Sequence, residues 1–184
     1  MVGASMRNSV LETRVPEWFN LVIWGHEHES IPYFVTCEQT GVDFLQPGST
    51  TYTSLIDAES KPKHCFILTF EHTNGSEFQM DLEAVPLRTL RPFLYNEIVL
   101  NNTHINKLNE NQLIEHIKSV LLQMISDVAS LHTGNPKVPM LRLKIDHSDY
   151  AVIARHKITN YFTSEQIANL ASCLQFRRRK PLYY

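Results

Sequence analysis

The sequence contains no apolar run of the roughly 18 residues that a membrane-spanning helix requires. Its first residues also lack the apolar core of a signal peptide. Cysteine is scarce: Cys37, Cys65 and Cys173 are widely spaced and include no CxxC pair, which excludes a disulfide framework or a zinc ribbon. We therefore expect a protein with free thiols and no membrane partner.

The net charge of −2 hides an uneven distribution along the chain. Residues 1–86 contain 4 Lys and Arg against 12 Asp and Glu, a balance of −8, and residues 87–184 contain 13 against 7, a balance of +6. Such asymmetry suggests two units with different partners. An acidic half suits metal chemistry and a basic half suits a polyanion, although a charged face can also be merely solvated.

The stretch NLVIWGHEHES at residues 20–30 organises the first half. Residues 21–24 are a short apolar run before Gly25, which is typical of a buried strand. In an extended chain, residues two apart project to one side, so His26 and His28 are expected to face one point. Two imidazoles at a strand end suit a Zn, Mn or Fe site. The alternative is a pair of solvated loop histidines.

The remaining pattern of the first half predicts short strands and turns. Pro47-Gly48 strongly predicts a turn. The turn is either a tight turn closed by hydroxyl side chains or a turn placed beside the metal-binding edge of the sheet. Asn74-Gly75 is a hairpin signal between two longer strands. Strands are expected at residues 33–36, 42–45, 64–71 and 77–85. We expect the strand at 64–71 to be buried. The strand at 77–85 alternates between apolar and polar residues and should be half-buried.

The second half predicts a mixture of helices and strands. Asn109 and Gln112 form a capping pair before apolar residues at helical spacing up to Leu131, and Gly134 is a suitable end signal. Thr163 and Gln166 form a second capping pair, which predicts a helix to about residue 174. Strands are expected at residues 97–100, 139–146 and 151–158.

Basic side chains are distributed through this second half. No zinc finger, helix-turn-helix or RNP-like aromatic strand accompanies them, so contact with the sugar-phosphate backbone without base reading fits best. A solvated basic face is the alternative. The candidate DNA-binding residues are Arg88, Arg91, Arg142, Lys144, Arg155 and Lys157.

Five short motifs occur in a fixed order: GHEHE at Gly25, QPGST at Gln46, TSL at Thr53, KPKH at Lys61 and PLRTLRPF at Pro86. GHxH followed by a PGS turn resembles the last metal-binding segment of calcineurin-like metallophosphoesterases. The whole series resembles the meiotic recombination 11 family of eukaryotic double-strand break repair nucleases, and the resemblance covers residues 18–178.

The resemblance implies an α/β chain with two parts. Residues 1–86 would be the C-terminal part of a metallophosphoesterase β-sandwich, and residues 87–184 an α+β capping, DNA-binding domain. The family cuts DNA ends with manganese in the nucleus, together with a Rad-fifty-type ATPase and a nibrin-like adaptor. His26 and His28 match the last two metal ligands of that family.

The family's other metal motifs, which contain carboxylates, lie before GHxH and have no counterpart in this sequence. A two-metal centre needs several ligands for each ion. We therefore expect a C-terminal fragment of a manganese-dependent DNA nuclease by resemblance, completed by another chain or further sequence. The alternatives are a nuclease-dead fragment that binds DNA or a partner, and a phosphoesterase acting on small phosphate esters.

Overall fold

A computed structural model describes residues 10–72, 78–131, 137–150 and 153–178. These residues fall into two compact units. Unit 1 comprises Met1–Thr53 and Lys61–Arg88, and unit 2 comprises Ser54–Ser60 and Thr89–Tyr184. The described residues form a mixed α/β structure with three separate sheets, which confirms the predicted α/β class. No helix among the described residues is both long and apolar enough to cross a membrane.

Unit 1 contains a three-stranded sheet with the strand order β1-β3-β2. Its strands are β1 (Leu21–Ile23), β2 (Val35–Thr36) and β3 (Asp43–Leu45). β3 runs parallel to β1 and antiparallel to β2. A small core of Cys37, Val42 and Phe44 lies against this sheet.

The expectation that β1 is a buried strand was wrong. Leu21 and Val22 are half-buried, and Ile23 is 57% exposed. The reason is that β1 is an outer strand and only one of its faces meets the core, to which Val22 contributes. The side chains on the other face, including Ile23, therefore stay accessible.

A long hairpin completes unit 1. β4 (His64–His72) and β5 (Phe78–Pro86) pair antiparallel along their whole length, from His64 opposite Pro86 to His72 opposite Phe78. The predicted turn at Asn74-Gly75 lies outside the described residues. The predicted burial of β4 was wrong, since none of its residues is buried, because a two-stranded sheet has a neighbour on one side of each strand only.

Unit 2 is built on a parallel sheet covered on one face by a long helix. The strands β6 (Phe93–Val99), β7 (Met140–Asp146) and β8 (Leu174–Arg177) lie in the order β6-β7-β8. Helix α1 (Glu110–Leu131) connects β6 to β7, as a parallel crossover requires. The side chain of Asn109 accepts a 3.0 Å hydrogen bond from the backbone N–H of Gln112, which confirms the predicted cap.

The predicted apolar stripe of α1 forms the core of unit 2. Its buried residues recur every three or four positions, so they share one helix face, and they pack against alternate residues of β7. The residues in this layer are Leu113, Ile117, Leu121, Met124, Leu141, Leu143 and Ile145. The predicted end signal at Gly134 lies outside the described residues.

The strand predicted at residues 151–158 was wrong. Residues 151 and 152 are outside the described part, and helix α2 (His156–Thr159) follows Ile153. A strand would turn Ile153 and Ile158 to opposite faces, because they are five positions apart and side chains alternate along a strand. The helical turn buries both side chains in the core of unit 2 instead.

The helix predicted from Thr163 to residue 174 was also wrong. The local pair forms, since Gln166 Oε1 accepts a hydrogen bond from the N–H of Thr163 at 3.0 Å, but only a short 3-10 turn (Leu170–Ser172) follows before β8. β8 pairs in parallel with β7, with Leu174 opposite Leu143. This long-range pairing prevails over the local helix signal.

Candidate nucleic-acid interface and histidine segment

The histidine segment, residues 25–30, follows β1 without extending it. β1 ends at Ile23, and residues 25–30 contain bends and no assigned strand. The extended geometry expected to aim His26 and His28 at one point is therefore not observed. The backbone of this segment bonds instead to the turn after β3, where Gln46 Nε2 donates to the carbonyl of Glu29 at 3.1 Å.

The turn containing Gly48 packs directly on the histidine segment. Gly48 has a φ of +69°, and a Cβ placed there would lie 2.7 Å from the backbone of Glu29 and Ser30. Only glycine meets both conditions without strain. The N–H of Ser49 then reaches the carbonyl of His28 at 3.4 Å. The PGS turn thus lies beside the histidines, as one of the two interpretations of the sequence predicted.

Lys63 stabilises this arrangement, a role that was not predicted from the sequence. Its side chain is 3% exposed. Its Nζ donates to the carbonyl of His28 at 3.0 Å and to Ser49 Oγ at 2.8 Å. A buried ammonium requires such acceptors, because the loss of hydration is otherwise uncompensated. The sequence signal available was the KPKH motif, whose histidine, His64, bonds Ser30 Oγ through Nδ1 at 3.1 Å.

The imidazole of His28 has its own partner. Thr53 Oγ1 lies 3.0 Å from His28 Nδ1. With the proton on Nδ1 the ring donates to Thr53 and carries its lone pair on Nε2, and with the proton on Nε2 the ring accepts from Thr53. His28 and His26 are both exposed.

The described residues do not complete a metal centre. No group of three or more His, Cys, Asp or Glu side chains that could hold an ion is present within residues 10–72, 78–131, 137–150 and 153–178. A structural or catalytic metal needs at least three protein ligands in most sites. His26 and His28 alone therefore do not fit a manganese pair.

The candidate DNA-binding side chains are divided between the two units. Arg88 is exposed in unit 1, two residues after β5. Arg91 is exposed in unit 2, and its guanidinium donates to the carbonyl of Val138 at 2.7 Å. Arg155 and Lys157 lie at the start of α2, on a helical turn and not on the predicted strand, and both are exposed.

Arg142 and Lys144 lie on the face of β7 opposite the core, and both are half-buried and bonded within unit 2. Arg142 donates from Nε to the carbonyl of Leu55 at 3.3 Å and from Nη1 to that of Ser172 at 2.9 Å. Lys144 forms a 2.8 Å ion pair with Glu97, its register partner on β6. The hydrogen bond to Glu97 raises the pKa of Lys144 above its ordinary value, so the ammonium of Lys144 stays charged through neutral pH and loses its proton only as the pH rises through the raised pKa.

The two lysines among the candidates differ in how firmly their ion-pair partners hold them. Lys157 pairs with Glu110 at 2.8 Å, and both side chains are 45% exposed, so water screens this pair strongly. A solvent-exposed pair of this kind exchanges partners at little cost. Exposure and weak pairing make Lys157 more available to an incoming phosphate than Lys144, whose side chain is 19% exposed.

Comparison with known proteins identifies the family. A family profile described as the Mre11 DNA-binding presumed domain matches residues 80–182. The chain belongs to the MRE11 family. The double-strand break repair protein MRE11 of Arabidopsis thaliana is 31% identical over 180 residues, which cover 96% of this chain and 24% of that protein.

Two further relatives agree with this assignment. The double-strand break repair protein mus-23 of Neurospora crassa is 32% identical over 189 residues, which cover 91% of this chain and 25% of that protein. MRE11 of Mus musculus is 33% identical over 150 residues, covering 77% of this chain and 20% of that protein. The chain thus spans between 20% and 25% of the length of these three relatives.

Proposed function

We propose that this chain is a DNA-binding region of a double-strand break repair protein, and that it holds duplex DNA by the sugar-phosphate backbone. The observation that carries the proposal is the match of residues 80–182 to the Mre11 DNA-binding presumed domain. That range includes the described strands β6, β7 and β8 and the helices α1 and α2 of unit 2. The relatives named for double-strand break repair support the biological setting.

The exposed cations support phosphate contact. Arg and Lys neutralise phosphates without sequence information, whereas base reading needs an element that enters a groove. The single long helix among the described residues, α1, uses its apolar face for the core of unit 2, and the described residues include no other helix longer than four residues. Contact with the backbone rather than with base edges therefore fits this part of the chain.

The six candidate residues do not contribute equally in this proposal. Arg88, Arg91, Arg155 and Lys157 are exposed and contact phosphates. Arg142 and Lys144 hold Leu55, Ser172 and Glu97, so their part is to shape the surface. Removing an exposed cation should weaken DNA binding without loss of stability, and removing Arg142 should affect both.

We further propose a more specific role, in which this chain is part of a DNA nuclease. Unit 1 would be the C-terminal part of a metallophosphoesterase β-sandwich, with unit 2 as its capping domain, in a nuclear complex with a Rad-fifty-type ATPase and a nibrin-like adaptor. His26 and His28 would supply two ligands of a manganese centre, and other residues would supply the rest. The contact of the Ser49 turn with His28 supports this hypothesis.

The alternative is a region that binds DNA or a partner and takes no part in hydrolysis. The lack of a third ligand among the described residues favours it for this chain taken alone. The two hypotheses differ in one measurable respect. Substituting His26 and His28 abolishes nuclease activity under the nuclease hypothesis. The same substitution leaves DNA binding unchanged under both hypotheses.

Fluorescence anisotropy with labelled duplexes tests the proposed function. The expected result is binding of two unrelated 30-base-pair duplexes with equal affinity, within about threefold, because phosphate contacts carry no sequence information. The His26→Ala, His28→Ala double variant should bind equally well. A strong preference for one sequence, or no binding at low salt, would contradict backbone recognition.

A further inference from the structure

The chain passes from unit 1 into unit 2 and back within a few residues. Unit 1 ends its first part at Thr53, the crossing segment Ser54–Ser60 belongs to unit 2, and unit 1 resumes at Lys61. The crossing segment is therefore covalently continuous with unit 1 at both of its ends. A displacement of this segment must be taken up by the residues that flank it.

The flanking residues are the ones that hold His28. Thr53, immediately before the crossing segment, lies 3.0 Å from the imidazole Nδ1. Lys63, three residues after it, donates to the backbone carbonyl of the same histidine at 3.0 Å. One residue thus fixes the ring and the other fixes the backbone of His28. The bond from Lys63 to Ser49 extends the hold to the Gly48 turn.

The crossing segment is itself fixed inside unit 2. Arg142 donates from Nε to the carbonyl of Leu55. The 3-10 turn at Asp57–Ser60 packs against β6, and Ser60 Oγ closes it by donating to the carbonyl of Asp57 at 2.7 Å. Glu59 in this turn is fully buried. The segment is therefore an integral part of the fold of unit 2 and not a loose linker.

We propose that Thr53 and Lys63 are positioning residues for His28, and that the crossing segment couples their geometry to the state of unit 2 through Arg142. A change in unit 2 that shifts Leu55 pulls on both residues that hold the histidine. The coupling acts in the free chain, so it does not depend on DNA binding or on a metal ion. Residues on the sheet of unit 2 that do not touch the crossing segment should not affect His28.

Amide hydrogen exchange of the whole chain tests the coupling. The probes are the N–H groups of Ile31 and Ser49, which donate to the carbonyls of Gln46 and His28. Arg142→Met should raise their exchange rates about fivefold, the effect of removing roughly one hydrogen bond. The matched control is Lys144→Met, since Lys144 shares that face of β7 but bonds Glu97 instead of the crossing segment.

Two single substitutions and one insertion variant keep the test decisive. Thr53→Val and Lys63→Met, made singly, should raise the exchange of the same two amides with Arg142 intact. Inserting two glycines at each junction, between Thr53 and Ser54 and between Ser60 and Lys61, changes no side chain and slackens both connections, so it should remove any further effect of Arg142→Met on these two amides. The insertion variant is needed if Arg142→Met also destabilises unit 2. Amide hydrogen exchange in α1 reports such a destabilisation.

Three results would overturn the coupling. The first is unchanged exchange at Ile31 and Ser49 in Arg142→Met. The second is an equal rise in Lys144→Met. The third is an effect of Arg142→Met that persists at full size after the glycine insertion. If only Thr53→Val and Lys63→Met act, the positioning role stands and the coupling is rejected.

Discussion

Lys63 and His28 are joined by a 3.0 Å hydrogen bond from the lysine Nζ to the histidine backbone carbonyl, across 35 positions of the sequence. Lys63 is the buried residue in this pair, and His28 is exposed. The structure of the histidine segment thus depends on a residue from the start of the hairpin.

Tryptophan fluorescence reports on unit 1 specifically, because Trp18 and Trp24 are the two tryptophans of the chain and both belong to that unit.

Replacing Lys63 by Met should destabilise unit 1 by about 1 to 3 kcal/mol, because the part-buried carbonyl of His28 and Oγ of Ser49 lose this donor. Urea unfolding followed by tryptophan fluorescence measures the change. Lys61→Met is the matched control, since Lys61 is exposed two residues earlier, and it should change the free energy of unfolding by less than about 0.5 kcal/mol. Equal effects of the two substitutions would show that burial of Lys63 is unimportant.

Gly48→Ala should be more damaging than Gly41→Ala. Both glycines have a φ of +69°, but a Cβ at Gly41 has nothing within 4 Å, whereas one at Gly48 meets the backbone of Glu29 and Ser30. The left-handed conformation costs about 1 to 2 kcal/mol in each case, and the clash adds to this at Gly48 alone. Urea unfolding of the two variants separates the two effects, and equal decreases in stability would contradict the packing of the turn on the histidine segment.

Manganese binding tests the assignment of His26 and His28. If these residues supply ligands, adding Mn²⁺ should broaden their ring NMR signals before those of the other histidines, since paramagnetic broadening falls steeply with distance. His28→Ala should then reduce the broadening at His26, because a site with fewer ligands binds more weakly. Uniform broadening of all nine histidines would mean that the pair has no special affinity.

The thiols should differ in reactivity. Cys65 is exposed and Cys173 is fully buried, and burial raises the pKa of the Cys173 thiol. A raised pKa leaves less of the reactive thiolate at pH 8, so Cys65 should react with iodoacetamide at least about ten times faster than Cys173. Mass spectrometry of the labelled peptides measures both rates, and rapid labelling of Cys173 in the folded chain would contradict the packing of unit 2.

The elements with a strong local pattern could be predicted from the sequence. The cap at Asn109 and the periodic apolar residues of α1 define that helix by themselves. The alternation of Leu141, Leu143 and Ile145 with basic residues defined β7 equally well. In both cases neighbouring residues carry the information, because the apolar period matches the geometry of the element.

The region between β7 and β8 could not be predicted, because distant partners determine its structure. The side chain of Asn169 bonds both the N–H and the carbonyl of Leu141, at 2.9 Å each, and so takes the place of a strand neighbour. Leu174 then pairs with Leu143. The capping pair Thr163 and Gln166 indicated a helix, but the pairing with β7 satisfies the backbone of this region instead.

In the candidate site, too, local sequence patterns predict some features and distant contacts determine the others. The motifs at Gly25 and Gln46 indicated a histidine segment beside a turn, and the contact between Ser49 and His28 confirms that arrangement. The roles of Thr53 and Lys63 depend on contacts across 25 and 35 positions, which no local pattern encodes. The six candidate DNA-binding residues remain a prediction, and the structure separates the exposed ones from Arg142 and Lys144 by burial and bonding.

The salt dependence of duplex binding tests the central claim most directly. The logarithm of the affinity should fall linearly with the logarithm of the salt concentration, and Arg88→Gln with Arg91→Gln should reduce the slope by about 0.9 for each phosphate that the protein no longer neutralises. Arg14→Gln, an exposed arginine outside residues 80–182, should leave the slope unchanged. A slope that the double variant does not alter, or that Arg14→Gln reduces equally, would contradict phosphate recognition by Arg88 and Arg91.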